Sequence, residues 1–147
     1  MGGVIQEPMG TFSVKVTIVN PLNPDRSVTV DCLVDTGAAY SQLPRSLLAS
    51  IGIEPFDDRR FVMADGRQGT CQVGKADFFL NGRQTPSLVV FGEEAAPPLL
   101  GAMTLEGLGF GVDPLSRRLV PIDLPLASDP LRFPPRRKGV SPRREGA

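Results

Sequence analysis

The chain has 147 residues, 41% of them hydrophobic, with 16 basic and 16 acidic side chains and no histidine. That is enough for one domain around a single modest core, and the lack of histidine excludes a Ser-His-Asp triad or a Cys-His pair within the chain. Fifteen prolines and 16 glycines favour turns and short elements over a long helical bundle. Cys32 and Cys71 are too few for a disulfide framework or a closed structural zinc site. No metal or other cofactor is therefore expected, and a reduced, cytoplasmic setting is. No run approaches the about 20 apolar residues that span a bilayer, so no membrane association is expected. The first residues lack the basic start and apolar block of a secretory signal, and Gln6 departs from the myristoylation pattern. The neutral total is uneven. Residues 129–147 hold six basic groups against Asp129 and Glu145, a net +4, which leaves −4 on residues 1–128.

In chain order, residues 11–19 alternate apolar and polar, with Phe12, Val14, Val16 and Ile18 on one face, the pattern of a half-buried strand. Pro21 to Asp25 reads as a turn, and residues 27–34 as a second strand running directly into Asp35-Thr36-Gly37-Ala38. A short helix is predicted at about 44–51, with Pro44 in its first turn and Gly52 in the left-handed position after its end. Strands at 59–63 and 69–80 flank Ala64-Asp65-Gly66-Arg67, and Asn81-Gly82 leads to a strand at 88–91; Asp-Gly and Asn-Gly are both tight-hairpin signals. Leu99-Leu100-Gly101 precedes a second helix at about 102–108, and residues 110–121 read as strand, Asp113-Pro114 turn and strand. Short, evenly spaced strands with two small helices predict an all-β, closed, mainly antiparallel barrel. The domain is expected to span 1–121. Residues 122–147, rich in Pro, Arg, Ser and Gly, are expected to be a disordered tail.

Asp35-Thr36-Gly37 is the segment with chemical potential. Leu33 and Val34 anchor the strand end in the core, which leaves Asp35 at the mouth of a loop. Thr36 offers a hydroxyl to lock that loop, Gly37 allows close backbone approach, and Ala38 leaves room beside the carboxylate. A single carboxylate does not make a peptide-hydrolysing acid–base pair. Such a pair needs one ionised group to take a proton from water and one protonated group to donate to the substrate carbonyl. The sequence holds one Asp-Thr-Gly, so the second carboxylate is expected to be Asp35 of a second copy, brought in by a two-fold axis.

The order Leu33-Val34-Asp35-Thr36-Gly37-Ala38, a hairpin, and Leu99-Leu100-Gly101 before a helix resembles the retropepsin-like (retroviral-type) aspartic proteases. The stretch Leu99 to Pro121 is similar to single-domain bacterial members of that group. The likeness covers about residues 11–121. It implies a homodimeric acid-protease fold with Asp35 catalytic and Thr36, Gly37 and Ala38 in the active-site loop. Ala64, Asp65, Gly66 and Arg67 would form a flap over a polypeptide substrate, and Leu99, Leu100 and Gly101 would form the strand behind the loop. Thr36 would bond across the dimer axis. Two departures stand out: Ala102 follows Gly101 where retroviral enzymes usually carry arginine, and the flap tip is charged. Ala38 replaces the Ser or Thr often found in two-domain pepsin relatives, whose hydroxyl favours the charged carboxylate, so a less acidic pH optimum is expected.

Blander readings stand beside these. Asp-Thr-Gly and Asp65-Gly66 are also ordinary turn sequences, Glu93-Glu94 reads as a solvated loop, and both cysteines read as structural. The same fold could serve as a non-catalytic dimerisation or peptide-binding module. The basic tail could solubilise, be processed, or contact phosphates. With Phe133 its single aromatic, it lacks the stacking residues of a specific nucleic-acid binder, so nucleic acid is not an expected partner.

Overall fold

The computed structural model describes residues 12–128. Nine strands and two short helices follow in the order β1 (Phe12–Asn20), β2 (Asn23–Val34), β3 (Ser41–Pro44), α1 (Arg45–Ser50), β4 (Asp57–Val62), β5 (Gln68–Leu80), β6 (Arg83–Gly92), β7 (Leu99–Leu100), α2 (Ala102–Leu108), β8 (Phe110–Asp113) and β9 (Arg118–Pro121). Seven strands form one sheet in the order β1-β2-β7-β3-β6-β5-β4, and β1 pairs again with β5. β8 and β9 form a separate antiparallel pair. The fold is all-β and mainly antiparallel, with parallel pairings between β2 and β7 and between β3 and β6. No helix among the described residues is long and apolar enough to cross a membrane.

The alternation in β1 is realised. Phe12, Val16 and Ile18 are buried, and with Cys32, Val34, Leu43, Leu48, Phe78, Val89 and Leu100 they make up the heart of the core. Burial, reinforced by the neighbouring Asp31 charge, pushes the Cys32 thiol up to about 12. This cysteine packs as a small hydrophobe and is not a nucleophile.

The hairpins follow local backbone chemistry. Asn81 and Gly82 both take positive φ (51° and 79°), the conformation a two-residue turn between twisted strands requires. α1 ends as the sequence predicts. Gly52 is left-handed at φ 81°, its N–H donates to the Ala49 carbonyl at 2.9 Å, and the Ile53 N–H donates to Leu48 at 3.0 Å. This is the paired closure that satisfies the last helical carbonyls.

Several elements differ from the sequence reading, β4 among them, which starts at Asp57 and ends at Val62. The β1–β2 turn is only Pro21-Leu22, because Asn20 Oδ1 accepts the Leu22 N–H at 2.8 Å, and Pro24 and Asp25 lie inside β2. Pro44 ends β3 and caps α1 from outside the helix. β6 begins at Arg83, with Pro86 within it. β3 itself has no counterpart in the sequence reading. Residues 122–128 carry no regular element, although the Ile122 N–H still donates to the Gly109 carbonyl at 3.0 Å. The remainder of the predicted tail, including its basic residues, lies outside the described residues.

Glu94 also departs from its reading as a merely solvated residue. Pro44 offers α1 no side-chain cap. Glu94 supplies one from a distant loop, accepting the Ser46 N–H at 2.8 Å and the Ser46 hydroxyl. The hydroxyl bond, then the backbone bond, hold the Glu94 carboxyl below its usual range. A depressed folded pKa contributes stability above the unfolded value, and that contribution is lost as pH falls through the folded one. Glu94→Ala should therefore lower the melting temperature at pH 7, with the gap to wild type closing on titration below about pH 4, the ordinary glutamate value. A gap independent of pH would show that the carboxylate is not the cap.

Candidate active site

β7 is two residues long and lies between β2 and β3. Leu33 and Val34 pair with Leu99 and Leu100 on one side, and Gln42 pairs with Leu99 on the other. Residues 35–40 connect β2 to β3, so they must pass over the end of β7. The chain leaving β7 is then hydrogen-bonded to this loop along its length. The Asp35 N–H donates to the Leu100 carbonyl at 3.0 Å, the Ala102 N–H to Ala38 at 2.8 Å and the Met103 N–H to Ala39 at 3.0 Å.

Gly101 makes this crossing possible. A Cβ at residue 101 would stand 2.6 Å from both the carbonyl carbon and the oxygen of Tyr40, and 2.9 Å from the Ala38 oxygen. These are backbone atoms, which cannot swing aside as a long side chain can. The backbone of Gly101 is extended (φ −97°), so glycine serves close approach here and not an unusual dihedral.

Within the loop, the Gly37 N–H donates to Asp35 Oδ1 at 2.9 Å and the Ala38 N–H to the Asp35 carbonyl at 3.2 Å. The carboxylate is thus fixed in a tight turn at the end of a core strand. Asp35 is half-buried, while Thr36, which the resemblance assigns to a dimer contact, and Gly37 are exposed. The sequence-predicted residues Asp35, Gly37, Ala38, Leu99, Leu100 and Gly101 meet in this one knot of backbone.

A buried hydroxyl chain lies behind it. Ser41 Oγ accepts the Gly101 N–H at 3.0 Å and bonds Thr104 Oγ1 at 2.6 Å, and Thr104 in turn bonds Ser87 Oγ at 2.8 Å. Ser41 and Thr104 are fully buried. The chain ties β3, β6 and α2 to the glycine beneath the loop. None of these three residues was singled out from sequence. The available signal was Thr104 on the same buried helical face as Leu105 and Leu108, a polar group where the packing asks for an apolar one.

Ala64, Asp65, Gly66 and Arg67 form the tip of the β4–β5 hairpin. The bonds of this tip run within it. The Met63 N–H donates to Arg67 at 2.7 Å and the Gly66 N–H to Met63 at 2.9 Å. Asp65 accepts the Arg67 N–H and pairs with its guanidinium at 2.7 Å. The backbone bond first, then the guanidinium, hold the Asp65 carboxyl below its usual range. The stem of the hairpin reaches the loop: Tyr40 and Phe61 meet edge to face with ring centroids 5.5 Å apart. Val62 (70% exposed) and Met63 (43%) present apolar surface beside the tip. Two cavities, of about 510 Å³ and 390 Å³, lie elsewhere, around Leu22 and Phe56 and around Asp57 and Asp58. No group of three or more metal-ligating side chains occurs among the described residues.

Thr104→Val keeps the shape of the side chain and removes its hydroxyl, which leaves Ser41 and Ser87 short of a partner. Leaving a buried polar group unsatisfied costs about 1–3 kcal/mol. Denaturant melts should show a loss of that size, whereas Thr104→Ser should recover most of it. A loss in Thr104→Ser with none in Thr104→Val would indicate that the methyl packing matters and not the hydroxyl.

No protein-family model matches the sequence, and no curated protein matches it. Solved structures do. The protease of EIAV, determined with the inhibitor HBY-793, is 19% identical and superposes with a TM-score of 0.51, over 72% of this chain and 95% of that one. The solution structure of the simian foamy virus (mac) protease is 16% identical with a TM-score of 0.46, over 65% of this chain and 92% of that one. At 19% identity the similarity to the EIAV protease is one of fold. The strands that carry the Asp35 loop and the β4–β5 hairpin therefore build a retropepsin-like fold.

Proposed function

We propose that the chain is one half of a homodimeric aspartic endopeptidase, and that Asp35 is its catalytic residue. The observation that carries this reading is the fixing of the Asp35 turn. Its N–H is held by the Leu100 carbonyl and its Oδ1 by the Gly37 N–H, on a fold shared with a retroviral protease. A carboxylate meant only to close a surface turn does not need a strand threaded beneath it and a buried hydroxyl chain behind that strand.

In the proposed dimer, the two Asp35 carboxylates face each other across a two-fold axis and hold one water between them. Like charges about 3 Å apart do not both ionise, so the pair shares a proton and titrates as a unit. The ionised member takes a proton from water as the oxygen attacks the scissile carbonyl, and the protonated member donates to the carbonyl oxygen. Collapse of the tetrahedral species returns a proton to the leaving amine. The substrate is an extended polypeptide lying between the loops and under the β4–β5 hairpins, with residues 64–67 as flap tips. Ala38 provides no side-chain hydrogen bond to the dyad, which accords with an optimum in mildly acidic solution. The domain ends with β9 at Pro121, and the two unpaired cysteines accord with a reducing, cytoplasmic setting.

Wild-type chain should cleave an unstructured peptide mixture between about pH 4 and 7. Asp35→Ala should lower the rate by about a hundred- to ten-thousandfold, the usual worth of positioned acid–base groups. Equal cleavage by both would remove the assignment. Mixing the two chains in equal amounts tests the shared site. If the active unit is a dimer with one carboxylate from each chain, activity should fall to about one quarter of that of wild type at the same total concentration. A fall to about one half would mean that each chain works alone.

A further inference from the structure

The β4–β5 hairpin projects from the body of the sheet. The second half of β5 is held on both sides, by β6 through residues 73–80 and by β1 through 77–79. Its first half pairs with β4, and β4 is the edge strand. Phe61 stands on that edge opposite Gly69, so its ring has no cross-strand side chain to pack on. The ring it meets belongs to Tyr40, at the far end of the Asp35 loop, edge to face at 5.5 Å.

A second tie lies on the same strand. Residues 59 and 61 share one face of β4, and Arg59 interacts with Tyr40 as well as with Asp57, whose carboxylate it meets at 2.9 Å. The tyrosine thus meets the Phe61 ring and lies close to Arg59 on the same face of the stem. Its backbone is anchored in turn, because the Tyr40 carbonyl lies against Gly101 and the neighbouring Ala39 carbonyl accepts the Met103 N–H.

We infer that Tyr40 is a positioning residue that couples the flap stem to the Asp35 loop and sets how far the β4–β5 hairpin stands from the carboxylate. This rests on the protease reading for its kinetic consequence but not for its physical content. A tyrosine is suited to the task. Its ring supplies an orientation-dependent contact worth a few-fold in a closing equilibrium. In a peptidase, substrate would bind with the hairpin already drawn toward the loop. Loss of the contact would therefore weaken substrate capture more than it slows the chemical step.

The test is amide hydrogen exchange in the full chain, comparing wild type, Tyr40→Phe, Tyr40→Ala and Phe61→Leu. Tyr40→Ala and Phe61→Leu should quicken exchange across residues 59–71 by about three- to tenfold, the worth of an aromatic edge contact. Amides of β5 and β6 near Phe78 and Val89 should keep wild-type protection, which reports an intact core. Tyr40→Phe, which keeps the ring, should stay close to wild type. Peptide cleavage by the same proteins should show KM raised by a similar factor in Tyr40→Ala, with kcat changed less. Unchanged exchange in both Tyr40→Ala and Phe61→Leu would overturn the coupling, as would a fall in kcat alone. Faster hairpin exchange with no cleavage by any chain would uphold the coupling and sink the protease reading instead.

Discussion

The architecture turns on one close approach, the passage of Gly101 beneath the backbone of Ala38 to Tyr40. With 2.6 Å between a hypothetical Cβ and the Tyr40 carbonyl, any side chain there would lift the loop from the strand. The bonds from Asp35, Ala102 and Met103 that stitch the two segments would lengthen together, because they share one geometry. β7 contributes only two residues of pairing, yet it joins β2 to β3 and brings the two halves of the sheet into register around the loop. The position of Asp35 is therefore set by strands and not by the loop's own preferences. That is the condition under which a functional group can be held to a fraction of an ångström.

The support beneath this crossing is polar, which sets its cost and its value. Ser41 and Thr104 place hydroxyls in a mainly aliphatic and aromatic core, and the half-buried Ser87 extends the chain toward its edge. Burying a hydroxyl without a partner is expensive, whereas a fully bonded chain is close to neutral in stability. What the chain adds is direction. Ser41 has one geometry in which it accepts from the Gly101 N–H, while a methyl in its place would tolerate several. A satisfied network of this kind holds α2, β3 and β6 in a single relative arrangement.

Much of this was legible in the sequence where the governing physics is local. Asn81-Gly82 specified its hairpin because both residues must take positive φ, and Gly52 marked the end of α1 for the same reason. Asp35-Thr36-Gly37 and Leu99-Leu100-Gly101 could be recognised as one constellation from their order. Non-local features were hidden. β3 is four residues with alternating Ser, Gln, Leu and Pro, and it is a strand because β6 and β7 flank it. Pro86 lies within β6, which begins five residues ahead of its expected start. It is accommodated because β3 pairs only with residues 89–92 and leaves the other edge of Pro86 unclaimed. The Glu94 cap and the Tyr40–Phe61 contact join residues 48 and 21 positions apart, with no periodicity or turn signal to mark either.

The charged hairpin tip looks different in the light of these contacts. Asp65 and Arg67 suggest a tip that attracts charged partners, but the two side chains and the intervening backbone close on each other. An exposed pair of this kind contributes little to stability. Its effect is to neutralise the tip and to fix the turn around Gly66. The surface flanking it on the β4 side is Val62 and Met63, both exposed. Extended peptide backbone running beneath such a hairpin would meet apolar side chains and unpaired strand edges, and the pairing energy of an added strand is largely indifferent to sequence. In the proposed peptidase selectivity would then have to come from the loop, at Ala38, Ala39 and Tyr40. The hairpin would supply coverage and the loop discrimination, and Tyr40, whose ring meets Phe61, would join the two.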